Sequence, residues 1–286
     1  MLTLDITDGK IVWKVSGKSF RHQPGMWGTS ECPLVIDGKK VIYTPSGNET
    51  TIVALDAETG KTIWKSRSLQ DEGGYASPIL ITYNGHRKIV ALTGNRIVGV
   101  NPENGQIDWT FDDLGKEGSQ YIVPTNTPLY KDGRIFTANG YGAGAFMLQL
   151  NEDASGVRLL WRNKGFDPHH GCFVLVDGII YGSSHGRNGL GKWMAVDWNT
   201  GRTRFEMNWG KGVGEGSVIA ADGMLYCSDE RRGMVGLVRV NPAKFDLVSF
   251  FRITRGEGAF WAHPVIHRGI LYVRHGNALM AYKIKG

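Results

Sequence analysis

Apolar and polar positions alternate along this chain in short runs separated by turn residues, and the stretch from Cys32 to Lys65 shows the recurring unit. Pro33 to Ile36 reads as one strand (a), Asp37-Gly38 as a turn, and Lys40 to Thr44 as a second strand (b). Thr51 to Leu55 gives a third (c), Asp56 to Gly60 turns again, and Thr62 to Lys65 is the fourth (d). Asp-Gly and Asn-Gly between β-runs predict two-residue hairpins, because both central positions need positive φ. The a–b turn recurs as Asp37-Gly38, Asn84-Gly85, Asp132-Gly133, Asp177-Gly178, Asp222-Gly223 and, least typically, Arg268-Gly269. Its glycines are 47, 48, 45, 45 and 46 residues apart.

A second column keeps the same period. The phrase Leu4-Asp5 to Gly9 and Trp13 returns at Leu55-Asp56 to Gly60 and Trp64, and with drift at Asn101 to Gly105 and Trp109. It returns again at Asn151 to Trp161, Asp197 to Phe205 and Asn241 to Phe250, with leading residues 51, 45, 50, 46 and 44 apart. A repeat of this length is one supersecondary unit that buries its faces only against neighbours, as in a β-propeller. The expected fold is all-β, with about six four-stranded antiparallel blades in one domain over residues 1–286. The leading Asp or Asn caps its own turn while the Gly takes the left-handed conformation. The one-per-repeat aromatics Trp13, Trp64, Trp109, Trp161, Phe205 and Phe250 are expected to fill the wedges between blades.

Composition narrows the function classes. The 286 residues carry 33 Lys+Arg against 27 Asp+Glu, net +6, with the basic residues scattered, so a nucleic-acid interface is not expected. Cys32, Cys172 and Cys227 are far apart and odd in number, which gives neither a disulfide framework nor a paired-cysteine metal motif. No apolar run reaches membrane-spanning length, and Met1 leads straight into strand-like sequence without a signal-peptide pattern.

The segment Ala54-Leu55-Asp56-Ala57-Glu58-Thr59-Gly60-Lys61-Thr62-Ile63-Trp64 resembles the signature of the pyrroloquinoline-quinone-like repeat family, and the likeness covers the whole chain. It is most similar to the noncatalytic BamB-like branch and to exported bacterial propellers with phrases such as Gly74-Tyr75-Ala76-Ser77-Pro78, His169-His170-Gly171 and Trp261-Ala262-His263-Pro264. The resemblance implies a periplasmic or otherwise exported, monomeric binding scaffold. Quinoprotein dehydrogenases of the superfamily place adjacent cysteines over the quinone, and no two cysteines are adjacent here. The expectation is therefore no cofactor and no bound metal. Relatives commonly have eight blades; Leu2 to Lys14 reads as a c–d pair and Val265 to Lys283 as strands a to c, so either a six-blade ring closes with one c strand displaced or, the favoured expectation, the propeller is N-terminally shortened.

Chain direction assigns loops to faces. Both short turn types lie on one face, so the long b–c and d–a loops share the other, where rigid scaffolds usually carry recognition. A third column marks the start of strand a: Pro33, Pro78, Pro128, Phe173, Val218 and Pro264. Just before it stand Glu31, Tyr75, Asn126, His170, Glu215, Trp261 and His263, expected at the mouth of the central channel. Six of the eight histidines (His22, His169, His170, His185, His263 and His275) also map to this face. The bland alternative is that these groups bind water and tie blades together. The leading functional reading is recognition of a protein partner or a small or saccharide ligand. The alternative is a carbohydrate lyase or hydrolase in which Tyr75, His170, Glu215 and His263 divide the proton transfers. Asp229-Glu230-Arg231-Arg232 reads as a solvated turn, or as an anion clamp if either arginine points inward.

Overall fold

A computed structural model describes residues 1–115, 123–186, 191–210 and 213–284. The chain is an all-β propeller protein, with a single 3₁₀ turn at Gly17–Phe20 among the described residues. Five four-stranded antiparallel sheets follow the expected a–b–c–d order. They comprise β3 (Leu34–Ile36) to β6 (Thr62–Lys65), β7 (Ile79–Tyr83) to β10 (Ile107–Phe111), and β11 (Leu129–Lys131) to β14 (Val157–Asn163). The other two run from β15 (Phe173–Val176) to β18 (Thr203–Met207) and from β19 (Gly216–Ala221) to β22 (Asp246–Arg252). β1 (Leu2–Leu4) pairs with β2 (Ile11–Lys14), and β23 (Val265–His267), β24 (Ile270–His275) and β25 (Ala278–Lys283) form a three-stranded sheet.

The chain divides into two compact units. One holds the described residues among 1–116, 121–136 and 148–160; the other holds 137–147 and the described residues from 161 onward. In the first unit, Ile36, Ile42, Ile52, Ala54, Ile89, Val98 and Val100 pack as one buried cluster with Trp64. In the second, Ile179, Tyr181, Trp193, Ala195, Val218, Leu225, Cys227 and Val238 do the same. Strand c is apolar at successive positions, as in Ile97–Val100, because neighbours cover both of its faces.

Every a–b turn has positive φ at both central residues, from Asp37 (52°) and Gly38 (67°) to Arg268 (48°) and Gly269 (75°). In the c–d turn, Asp56 Oδ1 accepts from the Thr59 amide (2.8 Å) and hydroxyl (2.7 Å). Asp197 Oδ1 accepts from the Thr200 amide and hydroxyl, both at 2.9 Å.

Three of the four repeated tryptophans lie on the glycine of the next c–d turn, each pair within one unit, whereas Trp109 lies on Gly99 of its own sheet. A Cβ on Gly60 would fall 2.8 Å from Trp13, one on Gly105 2.4 Å from Trp64, and one on Gly201 2.5 Å from Trp161. Each indole nitrogen also donates to a carbonyl in the same turn: Trp13 to Ala57 (2.8 Å), Trp64 to Pro102 (3.1 Å) and Trp161 to Trp198 (3.2 Å). The glycine is thus required twice, for φ near +70° and for the ring lying on its Cα. Phe250 departs from the expected pattern. It is 59% exposed and touches Trp209 edge-on; the sheet after it has three strands among the described residues and so presents no c–d turn glycine to receive the ring.

Candidate functional site

Two-residue hairpins position the site. The turn at Asp177-Gly178 pairs β15 with β16 (Ile179–Ser184) from Val176 opposite Ile179 out to Phe173 opposite Gly182. Beyond that pair the strands part, and the segments that continue them carry His170 and His185, the His185 amide donating to the Asp167 carbonyl. In the next hairpin, Gly216 pairs with Asp229 and the register extends to Glu215 and Glu230, where the Glu230 amide donates to the Glu215 carbonyl (3.1 Å). Ser183 fastens the adjoining backbone: its Oγ accepts from the Gly216 amide (3.0 Å) and donates to the Gly216 carbonyl (2.8 Å). Gly171 must be a glycine, since a Cβ there would lie 2.1 Å from the Gly216 carbonyl oxygen.

A histidine pair from one hairpin thereby meets a glutamate pair from the next. His170 Nε2 lies 3.2 Å from Glu230 Oε2, and His185 Nδ1–H donates to Glu215 Oε1. The His169 ring is 4.4 Å from that of His170 and 5.0 Å from that of His185, and Tyr141 stands against His169 (4.6 Å) and His185 (5.3 Å). Behind them the Asp167 carboxylate accepts the amides of Gly142 (2.7 Å) and Gly144 (2.6 Å), while its carbonyl accepts the His185 amide (2.9 Å). Trp261 covers His170 with ring centres 5.3 Å apart, and His263 Nε2 donates to the His170 carbonyl (2.8 Å).

The two pairs differ in protonation. Burial pushes Glu230 up to about 7 and His170 down to about 4, so near pH 5.5 a protonated Glu230 meets a neutral imidazole and the contact is not an ion pair. Burial, with His170 and His185 nearby, pushes His169 down to about 3. His185 moves the other way, held charged first by its bond to Glu215. His263 is also raised, chiefly by a hydrogen bond with Cys172.

The other expected mouth residues have different surroundings. Glu31, in the first unit, accepts the Thr44 amide (2.8 Å), and burial pushes it up to about 7. The Tyr75 hydroxyl accepts the Trp27 amide (3.1 Å), and the Tyr75 amide donates to the Pro124 carbonyl (2.8 Å). Asn126 is fully buried. One position past this row, the Cys32 amide donates to Ser77 Oγ (2.9 Å) and the Ser77 amide to Thr127 Oγ1 (3.2 Å). In the first unit these positions tie neighbouring strand starts together, and the titratable cluster belongs to the second. His275 is likewise a packing residue: it is buried, stacks on Phe260 at 3.6 Å and bonds the Arg255 and Gly258 carbonyls at 2.8 Å each.

The acidic run divides. Asp229 and Glu230 are enclosed, correcting the expectation of a wholly solvated turn, because they end strand b beside the cluster. Arg231 and Arg232 are exposed, and their amides donate to Asp229 Oδ2. Of the long loops, 116–122, 187–190 and 211–212 lie outside the described residues. A mostly apolar cavity of about 330 Å³ near Phe250, Phe251 and Tyr282 shares no lining residue with the cluster.

A family model described as outer membrane protein assembly factor BamB matches residues 1–207. The chain belongs to this BamB-like family. BamB from Moraxella catarrhalis superposes with a TM-score of 0.69 at 19% identity, covering 98% of this chain and 74% of that one. A europium-containing methanol dehydrogenase superposes at 0.65 with 13% identity, covering 98% and 72%. In sequence, methanol dehydrogenase subunit 1 of Methylorubrum extorquens is 26% identical over 199 residues, 64% of this chain and 31% of that protein. An uncharacterised protein of Rickettsia conorii is 26% identical over 181 residues, 60% and 40%. This BamB-like chain therefore spans well under half the length of those curated relatives.

The dehydrogenase likeness raises the question of a quinone. The cysteines stand apart, Cys32 exposed before β3, Cys172 partly buried before β15 and Cys227 enclosed in β20 (Met224–Asp229), so the adjacent-cysteine platform has no counterpart and no step is derived through a quinone. No helix among the described residues is long and apolar enough to cross a membrane.

Proposed function

We propose that this chain is a noncatalytic, protein-binding propeller of the cell envelope, residues 1–286 acting as one scaffold domain. The observation that carries this reading is Trp261, 63% exposed at the edge of the imidazole–carboxylate cluster. A large ring with a polar underside is the composition of a recognition hot spot. The family description, outer membrane protein assembly, supports a polypeptide partner and an exported location.

Glu230 favours one second reading. A carboxyl held near 7 beside His170 has the character of a general acid, which suits a carbohydrate lyase or hydrolase. Fluorescence polarisation against extended peptides from outer-membrane β-strands, run beside acidic oligosaccharides, separates the two. The expected result is peptide binding that Trp261→Ala weakens about 10-fold with an unchanged melting curve. Equal binding by the variant, or turnover of an oligosaccharide, would overturn the protein-binding reading.

A further inference from the structure

We infer that His169, His185 and Glu215 form a binding site for one divalent transition-metal ion of the zinc class. Their donor atoms all lie within 4.8 Å of one another, on three separate segments of the second unit. His169 comes from the loop after β14, His185 from the end of β16 (Ile179–Ser184), and Glu215 from the residue before β19. Zinc bonds of about 2.0–2.2 Å in tetrahedral geometry set donors about 3.4 Å apart. A contraction of an ångström or so therefore closes the site.

A second observation points to a ligand independently of the clustering. Glu215 is 3% exposed, yet its Oε2 has no hydrogen-bond partner among the described residues. A buried carboxylate oxygen left so is costly, and a cation is the partner that removes the cost. Oε1 is already held by His185 Nδ1, which also fixes that imidazole, and the ion takes the place of the second ring proton, released to solvent on binding.

The donor set selects the ion. Two imidazoles and one carboxylate suit zinc and its neighbours, whereas calcium and magnesium favour all-oxygen shells. Three protein donors leave a coordination position for water or an external ligand. The backbone around the donors is fixed by the Ser183 bonds to Gly216 and by the His185 amide on Asp167, so the site is largely preformed. The inference is independent of the protein-binding reading, since an ion bound here needs no polypeptide partner.

The test uses the full chain, tag-free and stripped with chelator, titrated calorimetrically with Zn²⁺ alone; Co²⁺ absorption reports the ligand field. The expected result is one ion per chain, Co²⁺ bands of a nitrogen–oxygen site, and affinity weakened in Glu215→Gln and His169→Ala by more than the about 10–100-fold that losing a mere orienting partner costs. Because His169→Ala also alters packing, circular dichroism must show both variants folded, and the conservative Glu215→Gln decides if His169→Ala does not fold. Cys172→Ser, which alters the separate His263 contact, should bind as the parent does. No stoichiometric binding, or binding lost in Cys172→Ser and retained in Glu215→Gln, would overturn the site.

Discussion

Trp64→Ala is expected to lower the unfolding free energy by about 3–5 kcal/mol, the cost of emptying a large buried aromatic site. Trp64 is 8% exposed, belongs to a buried apolar cluster of the first unit, lies on Gly105 and donates to the Pro102 carbonyl. Removing it opens a cavity and leaves that carbonyl without the indole. Trp64→Phe should lose less, because the ring remains and chiefly the hydrogen bond goes. Gly105→Ala is expected to be destabilising as well, since the Cβ meets the same ring at a φ of +77°. Urea unfolding monitored by circular dichroism measures all three. A loss below about 1 kcal/mol for Trp64→Ala, well under the usual range, would mean that the repeated aromatic does not staple successive repeats.

Glu31→Gln is expected to change the pH dependence of stability more than stability itself. The folded carboxyl titrates at about 7 against an ordinary value of 4.5, because burial disfavours its charge. Between those values the unfolded chain gives up the proton while the folded chain keeps it, so stability falls as pH rises through the window. The loss approaches about 3 kcal/mol above pH 7. The amide introduced by Glu31→Gln carries no titrating proton and keeps an oxygen for the Thr44 amide, which is 2.8 Å from Glu31 Oε1. The neighbouring Tyr43, pushed up to about 12 mainly by burial, stays neutral throughout the window. The difference in stability between variant and parent should therefore grow in the variant's favour from pH 4.5 to pH 8. A difference that stays constant with pH would place Glu31 in a more solvated setting.

The repeat made the strand order legible, because each two-residue turn states its own φ requirement in the sequence. Asp37-Gly38 and its five counterparts all adopt it, Arg268 included. The aromatic wedge was legible at Trp13, Trp64 and Trp161, where a glycine lies one repeat ahead, but not at Phe250, whose outer-strand ring stays exposed. The site was half legible. His170 and Glu215 stand out from their column and His185 maps to the same face, yet nothing in the sequence pairs His185 with Glu215, and Glu230 lies in a run that reads as a solvated turn or an anion clamp. The signal was present: His185 and Glu230 each stand seven residues past a turn glycine, as far from their Asp-Gly turns as His170 and Glu215 stand before them. Tyr75 shares that column with His170 and Asn126 stands in the next row, but hydrogen bonding and burial decide their roles, and periodicity carries neither.

We propose that recognition is concentrated in the imidazole–carboxylate cluster of the second unit, where burial and pairing separate the histidines. A titration of the full chain in metal-free buffer, following the imidazole signals by two-dimensional NMR, reads this separation. His185 should titrate above the ordinary 6.5, while His169 and His170 stay neutral to about pH 3 and about pH 4. Midpoints near 6.5 for all three would contradict the account, because they would mean solvated imidazoles and no assembled cluster.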